Sequence, residues 1–397
     1  MRDAFLVVEG EFPPPARANL RLYRLGLALG KEGIRAHLLT PSSSPRPFMT
    51  FSFNGIEVLR FPGLARLLYS RIRIVVRATH IAIGSLYLIK ICKKNRRSAI
   101  HCWNVVAGLT GVIAGAITRT PVFVDFTDLY SDIARYESPV MAQLLASIEK
   151  IVARRATMVV AVTERMRSVL ISMGVEISRT LVIPDGTDEK MFHPGIDGSQ
   201  IRKQLELGDS PVLIFHGDVK HSDGVDILLR AFRQVLGKIP SAKLLMVGGG
   251  TESPHLIQLA RDWGMSSAVI FTGWVPHSQV PRYIAAADIG VMPLRSTLQT
   301  NCYLSFKLFE YWSMGKPVVV SGVESISNIA RNNESAIVVK PDDVLSLSDA
   351  LTKALEDPGS LKYVGENGRK LVETKYNWDR LMAQESNLHT RIGKVIE

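Results

Sequence analysis

Short apolar runs alternate with amphipathic or small-residue stretches along the whole chain. In the first half, the apolar runs predict strands at Phe5–Val8, Ala36–Thr40, Ser98–Cys102, Val122–Asp125, Met158–Val162 and Thr180–Ile183. Helices are predicted between them, for example at about residues 18–32 and over the Gly- and Ala-rich segment Asn104–Ile117. Strands separated by helices are the pattern of βαβ units, so we predict parallel sheets.

The alternation starts again at Ile201 and predicts a second sheet. Its strands are predicted at Val212–Phe215, Lys243–Val247, Val269–Phe271, Ile289–Met292, Val318–Val320 and Ala336–Val339. A polar stretch with three glycines, Pro194–Ser210, separates the two series, and we place the domain boundary there. The predicted domains are residues 1–200 and 201–377, with the last helix (378–397) crossing back to pack on the first domain.

The composition is that of a globular protein with two domains. The chain has 397 residues, of which 46% are hydrophobic and 21% are charged, which excludes a disordered protein. Its three cysteines, Cys92, Cys102 and Cys302, lack metal-ligand spacing and favour a reducing compartment over a disulfide framework. The first apolar run is far too short for a signal peptide, so we expect a cytoplasmic protein.

The positive charge is concentrated in the first quarter of the chain. Residues 1–100 hold 17 Lys or Arg and five Asp or Glu, so they carry +12, whereas the remaining residues carry −1. In the densest part, Arg71–Arg97, basic residues interrupt the apolar run, which argues against a membrane span. Two interpretations stay open: a basic amphipathic helix on an anionic membrane surface, or a helix buried on the sheet with a solvated basic end. Nucleic acid is not an expected partner, because aromatic interleaving is lacking.

The segment Asn301–Ser321 carries the most chemical information. It predicts a helix that begins near Leu304 and ends at Gly315. Lys307 lies near its first turn, where backbone amides and the helix dipole attract anions, and Glu310 follows on the same face. A cation beside open amides suits a diphosphate, and a carboxylate one turn later suits a sugar diol. The alternative is a solvated i,i+3 pair, but the apolar neighbours leave little surface facing solvent.

Several motifs in a fixed order resemble a known family. They are Leu181–Asp188 followed by Phe192 and Pro194, Phe215–Gly224, Val269–Trp274, Ala285–Ile289 and Lys307–Val319. In this order and spacing, the chain resembles the retaining glycosyltransferases of family 4, and the resemblance covers nearly all of it. It implies a GT-B fold, in which two Rossmann-like doubly wound parallel-sheet domains face a cleft.

The resemblance also implies a function. A member would transfer a sugar from a nucleoside-diphosphate donor to a saccharide or lipid-linked acceptor with retention, in cell-envelope glycan or glycolipid synthesis. No cofactor and no bound metal are expected, and the protein would work at the cytoplasmic face of a membrane. The residues that match the family's donor site are Gly217, Lys220, Trp274, Val275, Ser305, Phe306, Lys307 and Glu310. Lys307 would stabilise the leaving diphosphate, and Asp128 would position the acceptor.

Some of these residues can have a structural role in place of a functional one. Asp128 can equally cap the following helix, and Trp274 can be a packing residue. Asp125 is a poorer candidate because it can lie within the strand, and the cluster Gly248–Gly250 is interpreted as a tight turn after a strand.

The departures from the family pattern bear on mechanism. Cys302 stands where many members have a first glutamate, and Asp218 and Asp223 stand where a basic pair grips the diphosphate. Lys220 or His221 can substitute for that pair. In the first domain, Pro13–Arg17 replaces the usual pair of glycines. These departures motivate a second hypothesis, a catalytically weak or inactive GT-B protein that acts as a binding or partner subunit.

Overall fold

The computed structural model describes residues 2–12, 17–43, 48–63, 73–136 and 138–396. Residues 13–16 of the predicted proline-rich loop, and Arg71 at the start of the basic segment, lie outside the described residues. The described chain divides into two compact units, Met1–Pro184 with Trp378–Glu397, and Asp185–Asn377.

The first unit is a doubly wound sheet covered by helices. Its elements are β1 (Asp3–Val7), α1 (Arg17–Lys31), β2 (Arg35–Pro41), β3 (Met49–Phe53), β4 (Ile56–Phe61), α2 (Arg73–Lys94), β5 (Ser98–Trp103), α3 (Asn104–Thr118), β6 (Val122–Phe126), α4 (Tyr130–Arg135), α5 (Pro139–Arg155), β7 (Met158–Ala161), α6 (Glu164–Ser172) and β8 (Thr180–Val182). The sheet has the order β3-β4-β2-β1-β5-β6-β7-β8, and only the edge strand β3 is antiparallel. The strand order therefore reverses between β1 and β5.

The second unit is an all-parallel sheet between helices. Its elements are α7 (Ser199–Gln204), β9 (Val212–Asp218), α8 (Val225–Lys238), β10 (Lys243–Gly249), α9 (Ser253–Asp262), β11 (Val269–Gly273), α10 (Val280–Ala286), β12 (Ile289–Met292), α11 (Leu298–Cys302), α12 (Phe306–Ser313), β13 (Val318–Ser321), α13 (Glu324–Asn332), β14 (Ile337–Val339), α14 (Val344–Glu356) and α15 (Lys362–Thr374). The strand order is β11-β10-β9-β12-β13-β14, the arrangement of a Rossmann fold. The predicted parallel sheets are confirmed.

The last helix, α16 (Trp378–Ile396), belongs to the first unit, as predicted. It packs on α1, and its buried polar residues Glu385 and His389 contact side chains of that unit. The chain therefore returns to its first unit after completing the second.

The boundary between the units falls between Pro184 and Asp185, not between residues 200 and 201 as we predicted. The segment after it packs on the second unit: Phe192 lies in that unit's hydrophobic core, and its carbonyl accepts a 2.6 Å hydrogen bond from the Ser313 hydroxyl. The polar segment Pro194–Ser210 is therefore part of the second unit, where it contains α7, and is not a linker.

The hairpin of β3 and β4 was not predicted from the sequence. Its turn is Asn54-Gly55, with φ of 48° and 84°, and this pair favours the tight turn whose twist matches that of two paired strands. The Asn54-Gly55 pair was a hairpin signal in the sequence. The strands on either side are short and partly exposed, so they do not form the apolar runs by which the other strands were predicted.

Candidate active site

In the second unit, the order of the strands reverses between β9 and β12. Ligands of doubly wound sheets bind outside the carboxyl ends of the strands at this position. The loop after β9 leads through Gly224, which has a φ of 62°, into α8. Arg295, in the loop after β12, holds this turn: its Nε donates to the carbonyl of His221 at 3.1 Å, and its backbone N–H donates to that of Ser222 at 3.0 Å.

Helix α12 is fixed by its buried aromatic residues. The Tyr311 hydroxyl donates to the Ile214 carbonyl at 2.9 Å, and the Trp312 indole donates to the Ser335 carbonyl at 2.8 Å. Gly315 ends the helix with a φ of 66°, as the sequence predicted. Ser305 is the N-cap residue but makes no side-chain cap, so the first amides of the helix are not satisfied by it.

Lys307 is the second residue of α12 and is buried, with 6% of its surface exposed. Its ammonium group forms an ion pair with the Asp223 carboxylate, which is equally buried. It also lies over the face of Phe215, 4.4 Å from the ring centre, where the ring attracts a cation. The solvated-pair alternative is therefore wrong, because Lys307 lies inside the unit and its partner is Asp223.

Glu310 is held between two histidines that the sequence analysis missed. Its Oε1 lies 2.8 Å from Nε2 of His277, and its Oε2 lies 3.4 Å from Nε2 of His216. The three residues come from α12, from the turn after β11 and from β9. Glu310 and His216 are buried, whereas 36% of the His277 side chain is exposed. A signal existed for His277, since it closely follows the predicted strand Val269–Phe271, and parallel strands bring the segments after their carboxyl ends to one edge of the sheet.

The other predicted donor-site residues, Gly217, Lys220, Trp274 and Val275, lie at the carboxyl ends of β9 and β11 or directly after them. Gly217 has a φ of 112° and pairs with Gly248 at the ends of β9 and β10. A side chain at Gly248 would come within 2.0 Å of the Gly217 carbonyl oxygen, so the two strands are in close backbone contact there. Of the cluster Gly248–Gly250, which we interpreted as a tight turn, Gly248 and Gly249 lie within β10 and only Gly250 lies in the connection to α9. Lys220 is largely exposed and lies 2.5 Å from the Asp218 carboxylate.

Trp274 is the most exposed aromatic residue of this edge. Its indole is 68% exposed and lies against Gly249, where an added side chain would meet it at 2.9 Å. Trp274 is therefore not a core residue, although its indole packs against the backbone of Gly249, and its role in stacking stays a prediction. The neighbouring Val275 is half-buried. Cys302, at the first position of the acidic pair, is fully buried.

In the first unit, a polar residue follows each of three neighbouring strands. Glu9 follows β1, Asn104 follows β5, and Asp128 follows β6, so parallel strands bring them to one edge of the sheet. Asn104 has a φ of 57°, and its amide oxygen accepts from the backbone N–H groups of Thr127 at 2.9 Å and Asp128 at 3.2 Å. Its amide nitrogen donates to the Asp128 carboxylate at 3.1 Å.

Asp128 is not the N-cap residue of the next helix. Helix α4 begins at Tyr130, with Leu129 at the N-cap. The capping alternative is therefore wrong. Asp125 lies within β6 and is buried, as expected.

Glu9 was missed by the sequence analysis, although it directly follows the first strand at the point where the strand order reverses. It accepts a 3.2 Å hydrogen bond from the Tyr130 hydroxyl. Burial raises its pKa to about 7, although the Arg77 guanidinium opposes the shift. Glu9, Arg77 and His80 line a small pocket with otherwise largely apolar walls. Burial lowers the pKa of His80 to about 4, so this histidine is neutral at neutral pH.

A buried polar network lies beneath α16 in the first unit. Arg21 donates to Asp125 at 2.8 Å and to Glu385 at 2.7 Å, and His101 lies 2.8 Å from both Asp125 and His389. His101, Asp125 and Glu385 have the ligand types of a metal site, but the Arg21 guanidinium already neutralises the carboxylates. We therefore interpret the network as structural.

Helix α2 has a buried face and an exposed face. Val76, His80, Leu88 and Cys92 are buried, whereas Ile74, Val75 and Leu86 are 51%, 65% and 69% exposed. Within the described residues, Ile74–Lys94 is long and apolar enough to cross a membrane by length and composition alone. One of its faces packs on α3, however. The interpretation of a buried helix with a solvated basic end therefore describes its packed face, whereas binding to a membrane surface stays a prediction.

Comparisons with known proteins agree with this architecture. Residues 18–186 match the family model described as a glycosyl transferase 4-like domain, and residues 210–357 match glycosyl transferases group 1. Over 205 residues the chain is 28% identical to a GDP-mannose-dependent alpha-(1-6)-phosphatidylinositol monomannoside mannosyltransferase of Mycobacterium tuberculosis, covering 51% of this chain and 53% of that protein. The match therefore spans about half the length of this relative.

Two solved structures share the fold. A sucrose-phosphate synthase from Thermosynechococcus elongatus superimposes with a TM-score of 0.84 at 21% identity, covering all of both chains. Anabaena HepE in complex with UDP-glucose has a TM-score of 0.73 at 18% identity, covering 98% of this chain and all of that one.

Proposed function

We propose a function for this chain from the premise that it belongs to the family 4 glycosyltransferases of GT-B fold. The chain transfers a sugar from a nucleoside-diphosphate sugar to a saccharide or lipid-linked acceptor, with retention and without a bound metal. The observation that carries this proposal is the position of Lys307 and Glu310 on α12, at the switch point of the second sheet. Among the similar proteins, the mycobacterial mannosyltransferase depends on GDP-mannose, and HepE forms a complex with UDP-glucose.

Each residue has a distinct role in this proposal. The amides of α12 near Ser305 and Phe306, together with Lys307, stabilise the charge of the leaving diphosphate. Glu310 holds the ribose hydroxyls, and Trp274 stacks beside the nucleobase, whose edge the backbone of Val275 contacts. Gly217 allows close approach of the β9 turn, and Lys220 supplies further positive charge at its rim.

In the first unit, Asp128 positions the acceptor hydroxyl. Its carboxylate is oriented by Asn104 and by the Thr127 hydroxyl, which donates to it at 3.0 Å. A carboxylate fixed in this way at the end of a strand can accept a hydrogen bond from a sugar hydroxyl.

The test is turnover of GDP-mannose and UDP-glucose by the wild type and by Lys307→Ala and Glu310→Ala. We expect Lys307→Ala to lower kcat by on the order of 10²-fold, because it removes charge stabilisation of the leaving group. Glu310→Ala should mainly raise KM. Lys362→Ala and Glu366→Ala are the matched controls, since they are an exposed pair of the same unit at 3.8 Å. Undiminished turnover in both Lys307→Ala and Glu310→Ala refutes the assignment of these residues to the donor site.

The same assay examines the remaining parts of the proposal. Turnover should persist in EDTA, and the product should keep the anomeric configuration of the donor. If the folded wild type neither turns over these donors nor binds UDP or GDP in calorimetry, the alternative of an inactive binding or partner subunit replaces this proposal.

We also propose that the protein works on an anionic membrane surface through the exposed face of α2. Exposed Ile74, Val75 and Leu86 lie on the same helix as the exposed basic residues Lys90, Lys93 and Lys94. Apolar side chains that insert and lysines that meet anionic headgroups make a peripheral binding surface.

Vesicle sedimentation tests this surface. The wild type should sediment with vesicles that contain phosphatidylglycerol and not with pure phosphatidylcholine. Reversing the charges of Lys90, Lys93 and Lys94 should abolish sedimentation, whereas reversing three exposed lysines of the second unit, Lys353, Lys362 and Lys375, should not. Equal sedimentation of both triple variants contradicts the proposal.

A further inference from the structure

Both lysines assigned to the donor diphosphate are already in ion pairs with aspartates of one loop. Lys307 pairs with Asp223, and Lys220 pairs with Asp218. The two pairs differ in burial: the side chains of Lys307 and Asp223 are 7% and 8% exposed, whereas those of Lys220 and Asp218 are 60% and 39% exposed. The inner pair is therefore electrostatically the stronger of the two, because water and salt screen the outer one.

Asp223 cannot easily leave its position. It ends the short turn 221–223, and its backbone N–H donates to the Lys220 carbonyl at 3.0 Å. The next residue, Gly224, has a φ of 62°, and a side chain there would lie 2.0 Å from the Pro293 carbonyl oxygen. Arg295 holds the same turn from the loop after β12. The backbone thus fixes the Asp223 carboxylate next to Lys307.

This pairing changes what a diphosphate meets at the tip of α12. An ammonium group whose charge is matched by a buried carboxylate presents no net charge to an incoming anion. The diphosphate must either draw the ammonium away from Asp223 or approach a second negative charge. Both alternatives cost binding free energy, because like charges close together in a buried site repel each other.

We propose that Asp223 competes with the donor diphosphate for Lys307 and thereby sets a low intrinsic affinity for the nucleotide. This inference rests on the proposed donor site and extends it, since it assigns a role to a residue that opposes binding. Asp223→Asn keeps the size of the side chain and removes its charge. The variant should bind UDP or GDP about tenfold more tightly than the wild type, which corresponds to about 1.4 kcal/mol.

Calorimetric titration of UDP and GDP tests the inference. Asp218→Asn should change the affinity less than Asp223→Asn, because its pair is exposed. Asp349→Asn should change nothing, since Asp349 lies on α14 in an exposed pair with Lys238. In the double variant Asp223→Asn/Lys307→Met, the gain should disappear, because the released ammonium is what binds the diphosphate.

A second measurement guards against misfolding of the variant. Without Asp223, Lys307 is a buried cation without its carboxylate, so the apo Tm should fall, and saturating nucleotide should raise Tm more than in the wild type. Asp223→Ser serves if the asparagine variant does not fold.

The outcomes separate two kinds of failure. If the wild type binds nucleotide and Asp223→Asn binds equally or more weakly, Asp223 positions Lys307 instead of competing for it, and the inference is overturned. If neither folded protein binds UDP or GDP, the donor site itself is wrong and the inference fails with it. Binding by Asp223→Asn alone supports the inference.

Discussion

Arg21 is the side chain whose removal we expect to damage the fold most. It is 1% exposed on α1 and donates to the carboxylates of Asp125 and Glu385 and, at 3.0 Å, to the Pro184 carbonyl. Arg21→Met keeps much of the volume but removes the guanidinium from both carboxylates, so that His101 alone faces two buried negative charges. Removing one partner of a buried ion pair costs about 3–5 kcal/mol, because the remaining charge is buried and uncompensated.

The size of this loss should depend on pH. Burial raises the pKa of Glu385 to about 7, against the pull of Arg21, so below that pH the orphaned carboxyl can take up a proton at little cost. For Asp125, burial would raise the pKa, but His101 and Arg21 outweigh it and hold the pKa well below its usual range. We therefore expect the loss in the free energy of unfolding to be larger at pH 8 than at pH 6.

The assay is unfolding in urea, monitored by the hydrogen exchange of amides in α16 and β6, so that it reports on the first unit itself. Arg135→Met is the control, because Arg135 is 67% exposed and lies 3.7 Å from Asp132. Asp132 is buried, but the cation of this pair is open to solvent and 3.7 Å away, so the pair contributes at most about 1 kcal/mol. A loss in Arg21→Met no larger than in this control would refute the reasoning that Arg21 neutralises the network.

Three further predictions concern other parts of the molecule. Folding raises the pKa of Glu9 from 4.5 to about 7, so Glu9 lowers the free energy of unfolding as pH rises between these values. The free energy of unfolding of Glu9→Gln should therefore rise relative to that of the wild type, by at most about 3 kcal/mol, over this pH range. A difference in urea midpoints that does not change with pH would contradict this. Gly224→Ala should lower the Tm of the second unit strongly, because the new side chain would lie 2.0 Å from the Pro293 carbonyl oxygen. The control is Gly208→Ala, which has a φ of 52° and no atom within 4 Å of the new side chain, so it should lower the free energy of unfolding by only about 1 kcal/mol. Equal changes in Tm would argue against the contact with Pro293. His277→Gln should weaken nucleotide binding several-fold, because Glu310 is then free to rotate. Calorimetry measures this affinity, and Gln279→Ala in the same turn is the control variant. If the two variants bind nucleotide equally well, His277 does not position Glu310.

Sequence patterns predicted the elements well because each follows from local chemistry. The helix over Phe306–Ser313 has its stop at Gly315, and the buried strands are unbroken apolar runs. The boundary at Pro184 was missed because polar composition does not say which core a loop packs on. The β3–β4 hairpin was missed although Asn54-Gly55 marked it.

Contacts between distant residues were harder to predict than elements. The sequence placed Lys307 and Glu310 on one helix face, but it gave no sign that Asp223 would pair with Lys307 or that His216 and His277 would flank Glu310. These partners come from other strands and turns, and only the register of the sheet brings them together. The roles assigned to the donor-site residues and to Asp128 stay predictions until the assays above are made.

The same construction recurs at the carboxyl edge of each sheet. In the second unit, Arg295 after β12 holds the turn after β9 that carries Asp223. In the first unit, Asn104 after β5 holds the turn after β6 that carries Asp128. A turn at the end of a strand has few backbone partners of its own, so a side chain from the neighbouring strand must supply them if the turn is to keep one geometry. The residues that fix the site are therefore those that satisfy the backbone of a neighbouring loop, and Arg295 and Asn104 should matter to activity although neither is assigned a contact with substrate.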